Sequence, residues 1–142
     1  MILDEHMEMT GKLTIELNGE VVQEIPNLVT TAGKAYVASR IKDASATAMS
    51  HMAIGTNSTA AAAGNTALGG ESARVALSST TVSGADVVYV STFPAGTGTA
   101  ALTEAGILNA SSGGTMLCRT VFSTINKAAS DSMTITWTVT AS

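Results

Sequence analysis

The apolar run Met133-Thr134-Ile135-Thr136-Trp137-Thr138-Val139-Thr140 alternates at every position. Successive side chains of a strand point to opposite faces, so Met133, Ile135, Trp137 and Val139 share one face and threonine fills the other. The first face suits a core; the second is polar but carries no charge. The surface sheet of a free monomer mixes lysine and glutamate into such a face, which keeps it in solution and blunts its edges. The threonine face therefore points to a neighbouring subunit.

The same reading places the other elements. Leu13, Ile15 and Leu17 alternate with Lys12, Thr14 and Glu16, Asn18-Gly19 supplies a type I′ turn, and Glu20 to Ile25 returns, which predicts an N-terminal hairpin. Pro26-Asn27 ends its second strand, because proline donates no ladder hydrogen bond. From Thr30 to Lys42 the pattern becomes helical, with Thr30 or Thr31 as cap and Ala35, Ala38 and Ile41 recurring every three residues beside Tyr36 and Val37. His51 to Thr56 reads as a short strand. The segment Thr59 to Gly70, rich in alanine and glycine, reads as a connection with little to pack and is expected to be mobile in a free monomer. Five further strands are predicted at Ser72 to Thr81, Ala85 to Phe93, Ala101 to Asn109, Thr115 to Ser123 and Ser132 to Ala141, with turn residues between them. The sum is an all-β chain of about eight strands, a jelly-roll-like β-sandwich with one short helix. An acidic arm over residues 1–9 precedes a single sandwich domain over 10–142.

Composition sharpens the picture. Charged residues make up 13% of the chain, against about 25% in an average soluble domain, while the hydrophobic share is 45%. Serine, threonine, glycine and alanine replace the missing charge, and a net charge of −4 with this hydrophobicity describes a folding chain, not a disordered one. Aromatics are 4%, so the core must come from aliphatic residues and methionine around Trp137, Phe93 and Phe122. Such a thin core suits stability shared across a homo-oligomer, with a dimer favoured over a trimer. The start of the chain is acidic, the reverse of a signal peptide, and no apolar run approaches the roughly 18 residues that span a bilayer, so a cytoplasmic origin without membrane contact is expected. Six of the eleven acids lie in the first 24 positions. Asp4, Glu5 and Glu8 form either a solvated terminus or an arm for a basic partner, and Lys34, Arg40 and Lys42 make the helix the most basic element. With a pI near 4.9 and few aromatics, the chain has no footprint for nucleic acid.

Catalytic and metal chemistry find no constellation. Cys118 is the only cysteine and stands in a strand among Met116, Leu117 and Val121, which reads as a buried thiol, and a nucleophile would need His6 or His51 as base. Two histidines far apart with no second cysteine do not form a zinc set. Asn57-Ser58-Thr59 and Asn109-Ala110-Ser111 match a glycosylation acceptor pattern but read as loops. Gly96-Thr97-Gly98-Thr99 follows a strand yet leads into another strand without the helix or acidic residue of a dinucleotide site. No enzyme and no cofactor are expected.

The order of segments carries a resemblance. Asn27-Leu28-Val29-Thr30-Thr31-Ala32-Gly33-Lys34, Met52-Ala53-Ile54-Gly55-Thr56, Thr66-Ala67-Leu68-Gly69, Thr92-Phe93-Pro94-Ala95-Gly96, Thr103-Glu104-Ala105-Gly106-Ile107-Leu108-Asn109, Leu117-Cys118-Arg119-Thr120-Val121-Phe122 and Thr134-Ile135-Thr136-Trp137-Thr138-Val139 resemble small virion structural proteins of tailed bacteriophages. Among these the chain is most similar to capsid cement or decoration proteins. The resemblance spans about residues 11 to 142 and implies a jelly-roll sandwich on the outer surface of an icosahedral head. It also implies the major capsid protein as partner, synthesis in a host bacterial cytoplasm, and no catalytic residues. Candidate partner contacts are Asp4, Glu5, Glu8, Lys34, Arg40 and Lys42. The Glu104 to Asn109 type of strand also occurs in tail-fibre and tail-collar proteins, so a tail or head-fibre attachment subunit is the second reading. A carbohydrate-binding sandwich, with Trp137, Tyr36 and Tyr89 as the available aromatics, is the third.

Overall fold

The computed structural model describes residues 5–142. It is an all-β sandwich of two antiparallel sheets with one short helix, α1, at Thr31–Lys42. The strands are β1 (Met9–Leu17), β2 (Glu20–Pro26), β3 (Leu28–Val29), β4 (His51–Gly55), β5 (Glu71–Ala76), β6 (Ser79–Ser83), β7 (Asp86–Phe93), β8 (Ala100–Leu108), β9 (Met116–Lys127) and β10 (Met133–Ala141). One sheet runs β2-β1-β10-β7-β6, the other β3-β9-β8-β4-β5.

The hairpin β1–β2 turns through Asn18 and Gly19 with φ of 51° and 84°, as a type I′ turn requires. Asn18 also receives the backbone N–H of Ser132 on Oδ1 at 2.9 Å and donates to Asp131, fastening this turn to the turn before β10. In β10 the alternation has the expected register. Trp137 and Ile135 are fully buried, pair across with Leu13 and Ile15 of β1, and face Phe93 and Tyr89 of β7 in the same core. The opposite sheet supplies Met52, Ile54, Leu102, Ile107, Leu117 and Phe122. Trp137 satisfies its indole N–H by donating to Asn27 Oδ1 at 2.8 Å.

Among the described residues ten strands stand where about eight were expected. The segment Ser72 to Thr81 is not one strand: β5 pairs with β4 in one sheet, and β6 pairs with β7 in the other. The corner is made by a change of hydrogen-bond partner. Leu77 donates its backbone N–H to Ser50, and the next residue, Ser78, donates to Val90. Strands that cross between sheets at such a corner tie the two layers covalently.

The helix has its expected extent and cap but not its expected rotation. Thr30 is the N-cap, its Oγ1 accepting from the Gly33 N–H at 3.0 Å and donating to the Met116 carbonyl at 3.0 Å. Gly33 is the buried residue of the helix, pressed so close to the Leu117 backbone of β9 that any Cβ would collide with that carbonyl. Because this contact sets the helix's rotation, Tyr36 and Val37 of the expected stripe pack on the core while Ala35, Ala38 and Ile41 face away from it. Ile41 is 74% exposed.

Candidate functional site

Two places on the sandwich bring polar and apolar groups together: the outer face of the β8–β9 sheet, and the end capped by α1.

On the outer face, Glu104 of β8 and Arg119 of β9 form an ion pair almost completely removed from solvent, Nε to Oε1 at 3.1 Å. Desolvating two charges costs several kcal/mol each unless every lone pair and proton finds a partner. Here they do. Glu104 accepts the backbone N–H groups of Asn57 at 2.9 Å, Gly69 at 2.9 Å and Gly70 at 2.7 Å. Arg119 donates to Asn65 Oδ1 at 3.0 Å and to the Thr59 carbonyl at 3.1 Å. Gly55 is required beside them, since a Cβ there would lie 2.6 Å from Glu104 Oε2. Leu68 completes the lid by packing on Ala53, Leu108 and Met116 in a small second core.

The connection Thr59 to Gly70, expected to be mobile, is hydrogen-bonded to this pair at Thr59, Asn65, Gly69 and Gly70. Its small residues do not pack themselves; the buried pair beneath them supplies the hydrogen bonds that their side chains lack. What it presents outward is Ser58, Thr59, Ala60, Ala62, Ala63, Gly64, Thr66 and Ala67, all exposed and none charged. The threonines of β10 lie on the outer face of the other sheet, beside Thr10 and Thr14 of β1 and Val88, Val90 and Thr92 of β7, with Lys12, Glu16 and Asp86 the nearby charges. Thr92 and Thr134 share a hydroxyl hydrogen bond of 2.9 Å across the strands, and Thr140 donates to Asp86 at 2.6 Å.

The sequence-predicted contact residues gather mostly at the α1 end. Asp4 lies outside the described residues, and Glu5 is exposed ahead of β1. Glu8 is exposed but its backbone already belongs to the sheet, pairing with Ser142 through N–H···O bonds of 2.7 and 2.9 Å. Lys34, Arg40 and Lys42 are exposed on α1. Arg40 is occupied in closing the helix, donating to the carbonyls of Ala44 and Ala46, and Lys42 pairs with its neighbour Asp43 at 3.0 Å. Glu8 and Lys34 are brought together: both line a groove of about 560 Å³ between α1 and the start of β1, with Met9, Val29, Val37 and Ile41 as its apolar walls. A second trough of about 410 Å³ on the other flank of α1 shares Met9, Val37 and Ile41 and adds Tyr36, Tyr89 and Arg40. Burial pushes the Tyr89 phenol up to about 12, with Tyr36 nearby adding to the rise.

The remaining candidates are structural. Cys118 is fully buried, and that burial raises its thiol far above the ordinary value, which suppresses the thiolate a nucleophile needs. His51 sits in β4 with Nδ1 2.8 Å from Ser50 Oγ. Trp137 is in the core and offers no face to a sugar. Among the described residues no three His, Cys, Asp or Glu side chains converge on a metal position, and no helix is long and apolar enough to cross a membrane.

Glu104 and Arg119 were not singled out from the sequence as site residues, although a signal was present. Each is a lone charge inside a strand that is otherwise apolar or small, Leu102 to Leu108 and Met116 to Phe122, and opposite charges in neighbouring buried strands must find one another. The chain matches no known protein family, no curated protein and no solved structure.

Proposed function

We propose that this chain is a bacteriophage virion structural protein that binds the outside of an icosahedral head and cements neighbouring major capsid subunits. The observation that carries the reading is the neutral, pre-shaped surface built over the Glu104–Arg119 pair. Thirteen per cent charge leaves this molecule with broad Ser, Thr, Ala and Gly faces. The largest loop among them is tied to the buried pair by hydrogen bonds through Gly69, Gly70 and Thr59. A surface of that kind buries against a partner without desolvating charge and with little ordering entropy left to lose. Repeated at many equivalent lattice sites, a modest contact becomes strong through multivalency. The segment order quoted above supports the same reading.

The mechanism is mechanical. A cement protein binds across subunit boundaries, where only the assembled shell presents the whole site, and so adds its binding free energy to the resistance of the shell against internal pressure. The exposed charges Glu5, Arg40 and Lys42 add about 0–1 kcal/mol for each pair they make with the shell, a part that falls with salt.

The test is electron cryo-microscopy of virions carrying a labelled copy, together with re-decoration of stripped capsids by the purified chain. Density on the outer head surface at subunit boundaries, and higher shell resistance to heat after re-decoration, are expected. Label on the tail, or no binding to assembled heads, would overturn the proposal.

A further inference from the structure

We propose that the α1 end of the sandwich, uncovered by the described residues, is a two-fold symmetric interface between two copies of this chain, in which Glu8 of each copy pairs with Lys34 of the other. The inference is independent of the capsid reading, since it concerns the protein alone.

Helix α1 is more apolar on its outer side than its seat requires. The helix touches the sandwich through Gly33, Tyr36 and Val37 and leaves Ile41 exposed, with Met7 also 59% exposed nearby. An apolar ridge flanked by two apolar troughs has the shape needed to interlock with another ridge and trough. Exposed apolar ground of this kind on a chain with so few surface charges marks a protein interface.

The charges select the partner. The larger groove carries one acid, Glu8, on the β1 side and one base, Lys34, on the helix. No ion pair among the described residues joins them. In a two-fold contact the same patch meets itself, so residue i meets j and j meets i. An acid and a base on opposite walls are then satisfied twice by one symmetry operation. A groove made for a foreign acidic or basic segment would carry a single sign instead.

Sedimentation of the full chain at micromolar concentration reads this directly. The unaltered chain is expected to be a dimer, and Ile41→Asp a monomer with an unchanged circular dichroism spectrum, since Ile41 supports no core. Glu8→Lys alone and Lys34→Glu alone are each expected to weaken the dimer roughly tenfold at low salt, because two attractive contacts become repulsive in each homodimer. Mixing the two single variants restores affinity, as every contact in the heterodimer again joins opposite charges. A monomeric unaltered chain, or a dimer insensitive to Ile41→Asp, overturns the proposal. So does a restored Glu8→Lys/Lys34→Glu double variant combined with an unrestored mixture, the pattern of a contact within one chain.

Discussion

Replacing Arg119 by leucine is the sharpest probe of the buried pair. The substitution removes the guanidinium partner of Glu104 and leaves a carboxylate with no solvent exposure. Breaking a buried pair by deleting one partner costs about 3–5 kcal/mol, because the surviving charge is uncompensated. Glu104 retains three backbone donors, Asn57, Gly69 and Gly70, which moderates the loss, while Asn65 and the Thr59 carbonyl lose theirs. The molecule also has an escape: the loop can lift and let water reach Glu104. A loss of about 3 kcal/mol is therefore expected, a large part of the 5–15 kcal/mol by which such domains are stable. Replacing both charges with leucine does not rescue, since the three loop amides would then each lack an acceptor at about 1–3 kcal/mol apiece while the loop stays closed. Urea unfolding measures the loss, and amide hydrogen exchange locates it. Exchange should accelerate at Asn57, Gly69 and Gly70 in the variant while Ile135 and Trp137 stay protected. A change below about 1 kcal/mol with those three amides still protected would refute the idea that the ion pair holds the loop.

Trp137→Ala should cost about 3–5 kcal/mol in the same assay, because it opens a cavity in the main core and strips Asn27 Oδ1 of its donor. Cys118 should resist a thiol reagent in the native state and react fully in denaturant, as burial holds it protonated; rapid native labelling would contradict the placement of β9 in the core. The Asp131 carboxyl is held below its ordinary value by the Asn18 amide and by the Ala128 N–H. Its folded-state value is thus depressed, and its contribution is complete above pH 3.8 and lost as pH falls through the lower folded value. Asp131→Ala should flatten that acid limb of the stability curve, and an unaltered limb would show the turn contact to be inert.

The parts of the fold legible in the sequence are those where side-chain alternation and turn chemistry agree. The β10 run and the Asn18-Gly19 hairpin announce themselves because each has a clean two-residue period and, for the hairpin, a turn only a few residue pairs can make. The β5–β6 corner does not, because Glu71 to Ser83 holds neither glycine nor proline and the chain turns by exchanging Ser50 for Val90 as acceptor. The helix was legible in extent but not in rotation. Spacing centres the packed stripe on Ala35, Ala38 and Ile41 with Tyr36 and Val37 beside them; only the last two dock, because the absence of a side chain at Gly33 permits the closest approach and decides which face turns inward. The loop anchor was the least visible, since Glu104 reaches Asn57 across 47 positions and Gly70 across 34, and local pattern says nothing about contacts at that range.

The pairing of β1 with β10 has a consequence for how the chain acquires its shape. The strand that begins at Met9 is hydrogen-bonded along its whole length to the strand that ends at Ala141. Sheets that pair strands this far apart in sequence have high contact order and fold slowly, because the loop-closure entropy falls due before the contacts that offset it. On the ribosome β1 and β2 would emerge early as a lone hairpin with Val21 and Val22 exposed, and their sheet would gain its centre only once Met133 to Ala141 had been released. A chain stopped before Met133 would lack the central strand of this sheet and leave both apolar inner faces open to other chains, so folding and aggregation of the sandwich are separated by the single strand Met133–Ala141.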